Sequence, residues 1–146
     1  MIRAVLDVNV LVSALLNPRG VPARIVRLWR ADAFKAVACE ALLAEFERVM
    51  LRPRLRNRAV APAELKDLSR SIRRLSVMTS GAISVTDIAR DQDDNKVLAC
   101  ALEGGADYIV TGDDDLLVLG KYEGIPIVSP TAFLAVLGAV GPEKAP

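Results

Sequence analysis

Residues 2–16 read Ile2-Arg3-Ala4-Val5-Leu6-Asp7-Val8-Asn9-Val10-Leu11-Val12-Ser13-Ala14-Leu15-Leu16. The first five are mostly apolar and too few for a helix, so residues 2–6 are expected to form a short buried strand. From Val8 the apolar run continues to the breaker Asn17-Pro18, which predicts a helix over 8–16. A strand that passes directly into a helix is an α/β signal, and it leaves Asp7 at the strand's carboxyl end.

Working outward, Pro22 suits a helix N-terminus, and Ile25, Val26, Leu28 and Trp29 form an apolar stripe while Arg24, Arg27 and Arg30 face elsewhere. A strand is expected over 34–38. A helix follows over 40–51, with Leu42, Leu43, Phe46, Val49 and Met50 on one side. Residues 52–58 are a basic connection, and 62–75 is a helix with Leu65, Leu68, Ile72 and Leu75 at threes and fours. Further strands are expected at 83–85, 108–110 and 125–128, and helices at 95–102 and 130–137. Short apolar strands alternating with helices imply a mostly parallel sheet of about five strands, covered on both faces. Nothing repeats or divides the chain, so residues 1–137 are expected to be one domain and 138–146 a flexible tail.

The chain has 146 residues, 52% of them hydrophobic and 25% charged, which is enough for one well-packed core. It has no histidine, which excludes Ser-His-Asp and Cys-His triads, histidine-ligated zinc and paired-histidine ribonuclease chemistry. Cys39 and Cys100 are too few for a four-thiolate zinc site or a disulfide scaffold, so a reduced, cytoplasmic setting is expected. The apolar run from Ala4 to Leu16 is broken by Asp7 and Asn9, is too short to span a bilayer and is followed by no small-residue cleavage site. It is expected to belong to the fold, with no membrane partner. The net charge of +1 hides an asymmetry: residues 19–74 hold 14 basic and 6 acidic side chains, residues 87–123 hold 3 and 10. One half suits a polyanion and the other a cation, although basic residues also simply solvate helix faces.

In open parallel sheets ligands bind outside the carboxyl ends of the strands. Asp7 falls there, as does Thr111-Gly112-Asp113-Asp114-Asp115 after the 108–110 strand. A third group, Asp91-Gln92-Asp93-Asp94, precedes the helix whose inward face carries Val97 and Leu98. Taken alone, Asp93 or Asp94 reads as an N-cap and the Gly-Asp cluster as a turn. Together, three separated segments bring carboxylates to one edge, where their mutual repulsion calls for a cation. An all-oxygen donor set favours Mg²⁺ or Mn²⁺ over zinc.

These residues also carry a family resemblance. The opening string Asp7 to Leu16, the string Asp94-Asn95-Lys96-Val97-Leu98-Ala99-Cys100-Ala101 and the string Ala106-Asp107-Tyr108-Ile109-Val110-Thr111-Gly112-Asp113 resemble the motifs of PIN-domain nucleases. The resemblance extends to about Phe133 and is nearest in flavour to the VapC-like toxins of toxin-antitoxin pairs. It implies a three-layer α/β/α sandwich and a Mg²⁺- or Mn²⁺-dependent endoribonuclease. The implied catalytic and metal-binding residues are Asp7, Glu45, Asp94 and Asp113, with Asp115 as a further ligand and Asn9 and Thr111 as hydrogen-bonding supports. Helical geometry alone does not separate Glu45 from Glu47; position in the motif favours Glu45. The implied reaction is in-line hydrolysis of RNA to a 5′-phosphate and a 3′-hydroxyl.

Arg19, Arg24, Arg27, Arg52, Arg54, Arg56 and Arg58 are candidates for tracking the RNA backbone. Trp29, Phe34, Phe46 and Phe133 read as core, which gives base stacking little support. The resemblance further implies a homodimer and, for a toxin, a small antitoxin partner. A haloacid-dehalogenase-like phosphatase would want a second carboxylate where Asn9 stands, and a receiver-like domain would want an acidic pair that residues 3–6 lack. A catalytically silent PIN-like module that binds RNA or protein is the other reading, opposed by the filled acidic positions.

Overall fold

β1 (Arg3–Leu6) lies inside the sheet, and its composition says why: Ala4, Val5 and Leu6 are all buried, so both faces are covered. It pairs in parallel with β2 (Lys35–Cys39), Val5 opposite Val37, and with β4 (Tyr108–Val110), Val5 opposite Ile109. β2 continues to β3 (Val77–Thr79), and β4 to β6 (Ile125–Val128), both in parallel. β5 (Lys121–Tyr122) adds an antiparallel edge to β6. The order is β3-β2-β1-β4-β6-β5. The chain therefore builds outward from β1 to β3, then returns to β1's other side, which makes the β1–β4 boundary the topological switch point. This computed structural model describes residues 1–52, 60–85, 88 and 92–140.

The helices are α1 (Val8–Leu16), α2 (Val21–Arg30), α3 (Glu40–Met50), α4 (Pro62–Leu75), α5 (Gln92–Glu103), α6 (Asp114–Leu117) and α7 (Pro130–Val140). Strand alternation sends Leu6, Ala36 and Ala38 to one face, where they line one narrow space with Leu11, Trp29 and Ile72 of α1, α2 and α4. Val37 points toward the end of α5, which packs on β1, β2 and β4. Right-handed crossovers require this division, since the return from β3 to β4 runs opposite to the outward steps. α7 seals the core by packing on α2 and setting Phe133 edge-on to Phe34, ring centroids 5.0 Å apart. Trp29, Phe34, Phe46 and Phe133 are all buried. Cys39 and Cys100 are free and buried, and their mutual hydrogen bond, together with burial, pushes the Cys100 thiol up, which keeps it protonated. Among the described residues no helix is long and apolar enough to cross a membrane.

The structure corrects the expected element list in several places, among them the single helical turn α6 where the Gly-Asp cluster was expected to form only a turn. The sheet has six strands, because Lys121–Tyr122 pairs across the turn at Glu123 and Gly124, both at positive φ. The third strand is Val77–Thr79, directly after α4, and residues 83–85 lie outside the sheet. The cause is Glu103 on α5: its carboxylate accepts from the Ser80 amide (2.7 Å) and hydroxyl (2.6 Å) and from the amides of Gly81 (3.1 Å) and Ile83 (3.3 Å). Those amides are thereby diverted from strand pairing. α5 starts at Gln92 rather than 95, consistent with acidic residues suiting a first turn. α7 runs to Val140, past the expected 137. The part of the expected tail at 141–146 lies outside the described residues.

α5 ends in a Schellman turn: the Ala106 amide bonds to Ala101 (2.9 Å) and the Gly105 amide to Leu102 (3.4 Å), with Gly105 at φ 64°. Just before it, Gly104 lies so close to β2 that an added Cβ would stand 2.2 Å from Val37 Cγ1. A valine fixed in the core cannot move aside cheaply. Gly104→Ala should therefore cost about 1–3 kcal/mol in urea unfolding, as overpacking does. The Glu103 clamp makes a second prediction. Hydrogen bonds from the Ser80 hydroxyl and amide hold its carboxyl below the ordinary value of 4.5, so its contribution is present above that pH and is lost as pH falls through the folded value. The difference in unfolding midpoint between the parent and Glu103→Gln should be widest near neutral pH and narrow in acid.

Candidate metal centre

Asp7 sits where β1 becomes α1 with no loop between them. Its amide donates to the Val110 carbonyl (2.9 Å), extending the β1–β4 ladder by one residue, and the Thr111 amide does the same toward Val128 (3.0 Å). Both side chains are thereby fixed at the sheet's carboxyl edge, at the switch point. The Asp7 carboxylate caps α1 by accepting from the Val8 amide (2.7 Å). Its other oxygen accepts from the Thr111 hydroxyl (2.7 Å) and the Asn9 side-chain amide (3.0 Å).

The same two partners hold the loop after β4. Thr111 Oγ1 accepts from the Asp113 amide (3.0 Å), and Asn9 Oδ1 accepts from the Gly112 amide (3.1 Å). Asp113 then caps the single turn α6, accepting from the Asp115 amide at 2.9 Å. Burial pushes the Asp7 carboxyl up. The Thr111 hydroxyl and Val8 amide pull it down, the charge of Asp113 raises it, and Asn9 lowers it again.

Asp94 is buried in the first turn of α5, beside the almost fully buried Asn95. Carboxylate oxygens of Asp94, Asp113 and Asp115 all lie within 4.8 Å of one another. At that separation each pair of charges repels by about 3 kcal/mol at an effective dielectric near 20. Helix dipoles return roughly 0.3–1 kcal/mol per charge, so they do not balance the repulsion, whereas one divalent cation does. Three carboxylates with neither thiolate nor imidazole are a hard donor set that fits Mg²⁺ or Mn²⁺.

Of the residues singled out from sequence, Asp94, Asp113 and Asp115 thus converge. Asp7, Asn9 and Thr111 adjoin them through shared hydrogen bonds. Glu45, half-buried on α3, stands outside the 4.8 Å group. Glu47 is engaged elsewhere, in an ion pair with Arg73 of α4 at 3.6 Å. Arg19, Arg24, Arg27 and Arg52 are exposed, and Arg27 also donates to the Pro18 carbonyl at 3.0 Å. Arg54, Arg56 and Arg58 lie outside the described residues. The burial of Asn95 was missed from sequence; its place one residue after Asp94 in a helix's first turn is the signal that marks it.

A family model for the PIN domain matches residues 3–115, from the first residue of β1 through the last carboxylate of the cluster. The chain belongs to the PIN-domain family. An uncharacterized protein of Methanocaldococcus jannaschii is 32% identical over 123 residues, an alignment covering 81% of this chain and 75% of that one. Family membership suggests a metal-dependent nuclease, and the acidic cluster is compatible with that activity.

Thr111 is the test of how the centre is held. Thr111→Val keeps the shape but removes the donor to Asp7 and the acceptor for the Asp113 amide. The expected loss is about 1–3 kcal/mol in urea unfolding, the cost of leaving buried polar groups unsatisfied. An unchanged midpoint would show that this hydroxyl holds nothing.

Proposed function

We propose that this PIN domain, over residues 1–137, is a Mg²⁺- or Mn²⁺-dependent endoribonuclease. The observation that carries the proposal is the approach of Asp94, Asp113 and Asp115 within 4.8 Å at the switch point of the sheet. Asp7, Glu45, Asp94 and Asp113 are assigned as the catalytic and metal-holding residues, with Asp115 as a further ligand. Glu45 is taken over Glu47 as the contributor from α3 on its position in the motif. When bound, the cation supplies acidity to water and neutralises charge on the scissile phosphoryl group. Asn9 and Thr111 keep Asp7 oriented and hold the Gly112–Asp113 backbone in place, so the carboxylates need no rearrangement on binding. Arg19, Arg24, Arg27, Arg52, Arg54, Arg56 and Arg58 are assigned to the RNA backbone.

The finer reading is a cytoplasmic toxin of a toxin-antitoxin pair, a homodimer whose acidic crevice is covered by a small antitoxin. It rests on the motif strings at 7–16 and 94–113. A short overlapping upstream gene, whose product suppresses activity on co-expression, is the expected companion.

Purified protein incubated with a mixed RNA pool should cleave with Mg²⁺ or Mn²⁺ and stop with chelator. Asp94→Asn should lose more than about 100-fold, beyond the 10–100-fold typical of outer-shell partners. Glu45→Gln should fall similarly and Glu47→Gln should not. Metal-independent cleavage, or full activity in Asp94→Asn, would remove the proposal.

A further inference from the structure

Lys66, Arg70 and Arg74 stand at i, i+4 and i+8 of α4, one ridge with a cation about every 6 Å along the axis. With Ser69, Arg73 and Glu47 they line an open groove of about 390 Å³ between α4 and α3. Arg73 is already engaged: it grips Glu40 through two bonds, at 3.1 and 3.3 Å, and reaches Glu47 at 3.6 Å. Lys66, Arg70 and Arg74 form no ion pair or hydrogen bond with any described residue. Like charges at this spacing oppose helix formation unless an anion lies across them. On the groove's lining, Ser69 is buried, and its hydroxyl finds no hydrogen-bond partner among the described residues. That hydroxyl is closed off from the groove, as are those of Ser76 and Thr79, so the cations of the ridge and not Ser69 are what a ligand would meet.

The geometry points to a second nucleic-acid contact: the α3–α4 groove binds consecutive phosphates of a single RNA strand through Lys66, Arg70 and Arg74. The step between these cations along the helix is comparable to the step between phosphates along an extended strand. Glu47, on the groove wall, is two residues from Glu45 on α3, so a strand held here runs beside the helix assigned to the metal centre. Of the arginines marked from sequence, the described ones, Arg19, Arg24, Arg27 and Arg52, do not line this groove. The inference rests on the ribonuclease reading for the identity of the polyanion, and on the groove for its place.

The test is fluorescence anisotropy of the full chain with a short labelled single-stranded RNA of mixed sequence, in chelator, across a salt series. Lys66→Ala/Arg70→Ala/Arg74→Ala should weaken binding at low salt by at least about tenfold. It should also flatten the slope of log K against log salt by about 2, near 0.7 for each phosphate that the variant no longer neutralises. The charge-keeping set Lys66→Arg/Arg70→Lys/Arg74→Lys should retain the slope, and inorganic phosphate at matched concentration should not displace the RNA. An unaltered slope in the alanine variant, an equal loss in the charge-keeping one, displacement by phosphate alone, or no salt-dependent binding by the parent would each overturn it. Because chelator is present, the result does not depend on cleavage. The Asp94→Asn assay reads the metal centre separately, so each reading can fail alone.

Discussion

A buried carboxylate with every bond accounted for is the constraint on which this structure turns. Asp7 is enclosed at the centre of the sheet's carboxyl edge, where burial alone would disfavour its charge. It is held by the start of its own helix, by Asn9 in that helix's first turn, and by Thr111 from the neighbouring strand's end. Those bonds join β1 to β4, with Asp7 and Thr111 standing 104 positions apart in the chain. Fold and site are therefore one problem: the pairing that closes the sheet also places Asp7 and Thr111 beside the acidic cluster.

The two halves of the charge asymmetry have distinct places in the fold. The acidic segment supplies the carboxylates at the switch point, drawn from the first turn of α5 and the start of α6. Part of the basic segment solvates helix surfaces or is tied up locally, as Arg30 is with Asp67 at 3.1 Å and Arg73 with Glu40. Such exposed pairs are worth little in stability. They engage Arg30 and Arg73, whereas Lys66, Arg70 and Arg74 on the ridge of α4 form no ion pair with any described residue.

Much of the architecture could be read from residue pattern. The strand-to-helix junction at Asp7, the apolar stripes of α2, α3 and α4, and the short strands at 108–110 and 125–128 are local signals, and the structure has them. What failed was decided at a distance. Val77-Met78-Thr79 carries a weaker strand signal than Ile83-Ser84-Val85, and it is Glu103, twenty residues further on, that removes the latter from pairing. β5 is two residues long and depends on β6 for existence. In the centre, the sequence marked the carboxylates by their place after strands, because topology converts that place into proximity. It could not rank Glu45 against Glu47 by geometry, since the two lie about equally far from the centre of the apolar stripe of α3, and the pairing of Glu47 with Arg73 of α4 is a contact between helices that no local pattern displays.

The way Thr111 is anchored has a consequence for synthesis. Its amide rests on the Val128 carbonyl, and Phe34 is not covered until Phe133 arrives. Every carboxylate of the cluster leaves the ribosome before either partner does. The emerging polypeptide thus carries its full acidic complement while the strand that fixes their geometry is still missing. An assembled centre therefore waits on the arrival of Val128 and Phe133, and any nuclease action waits with it.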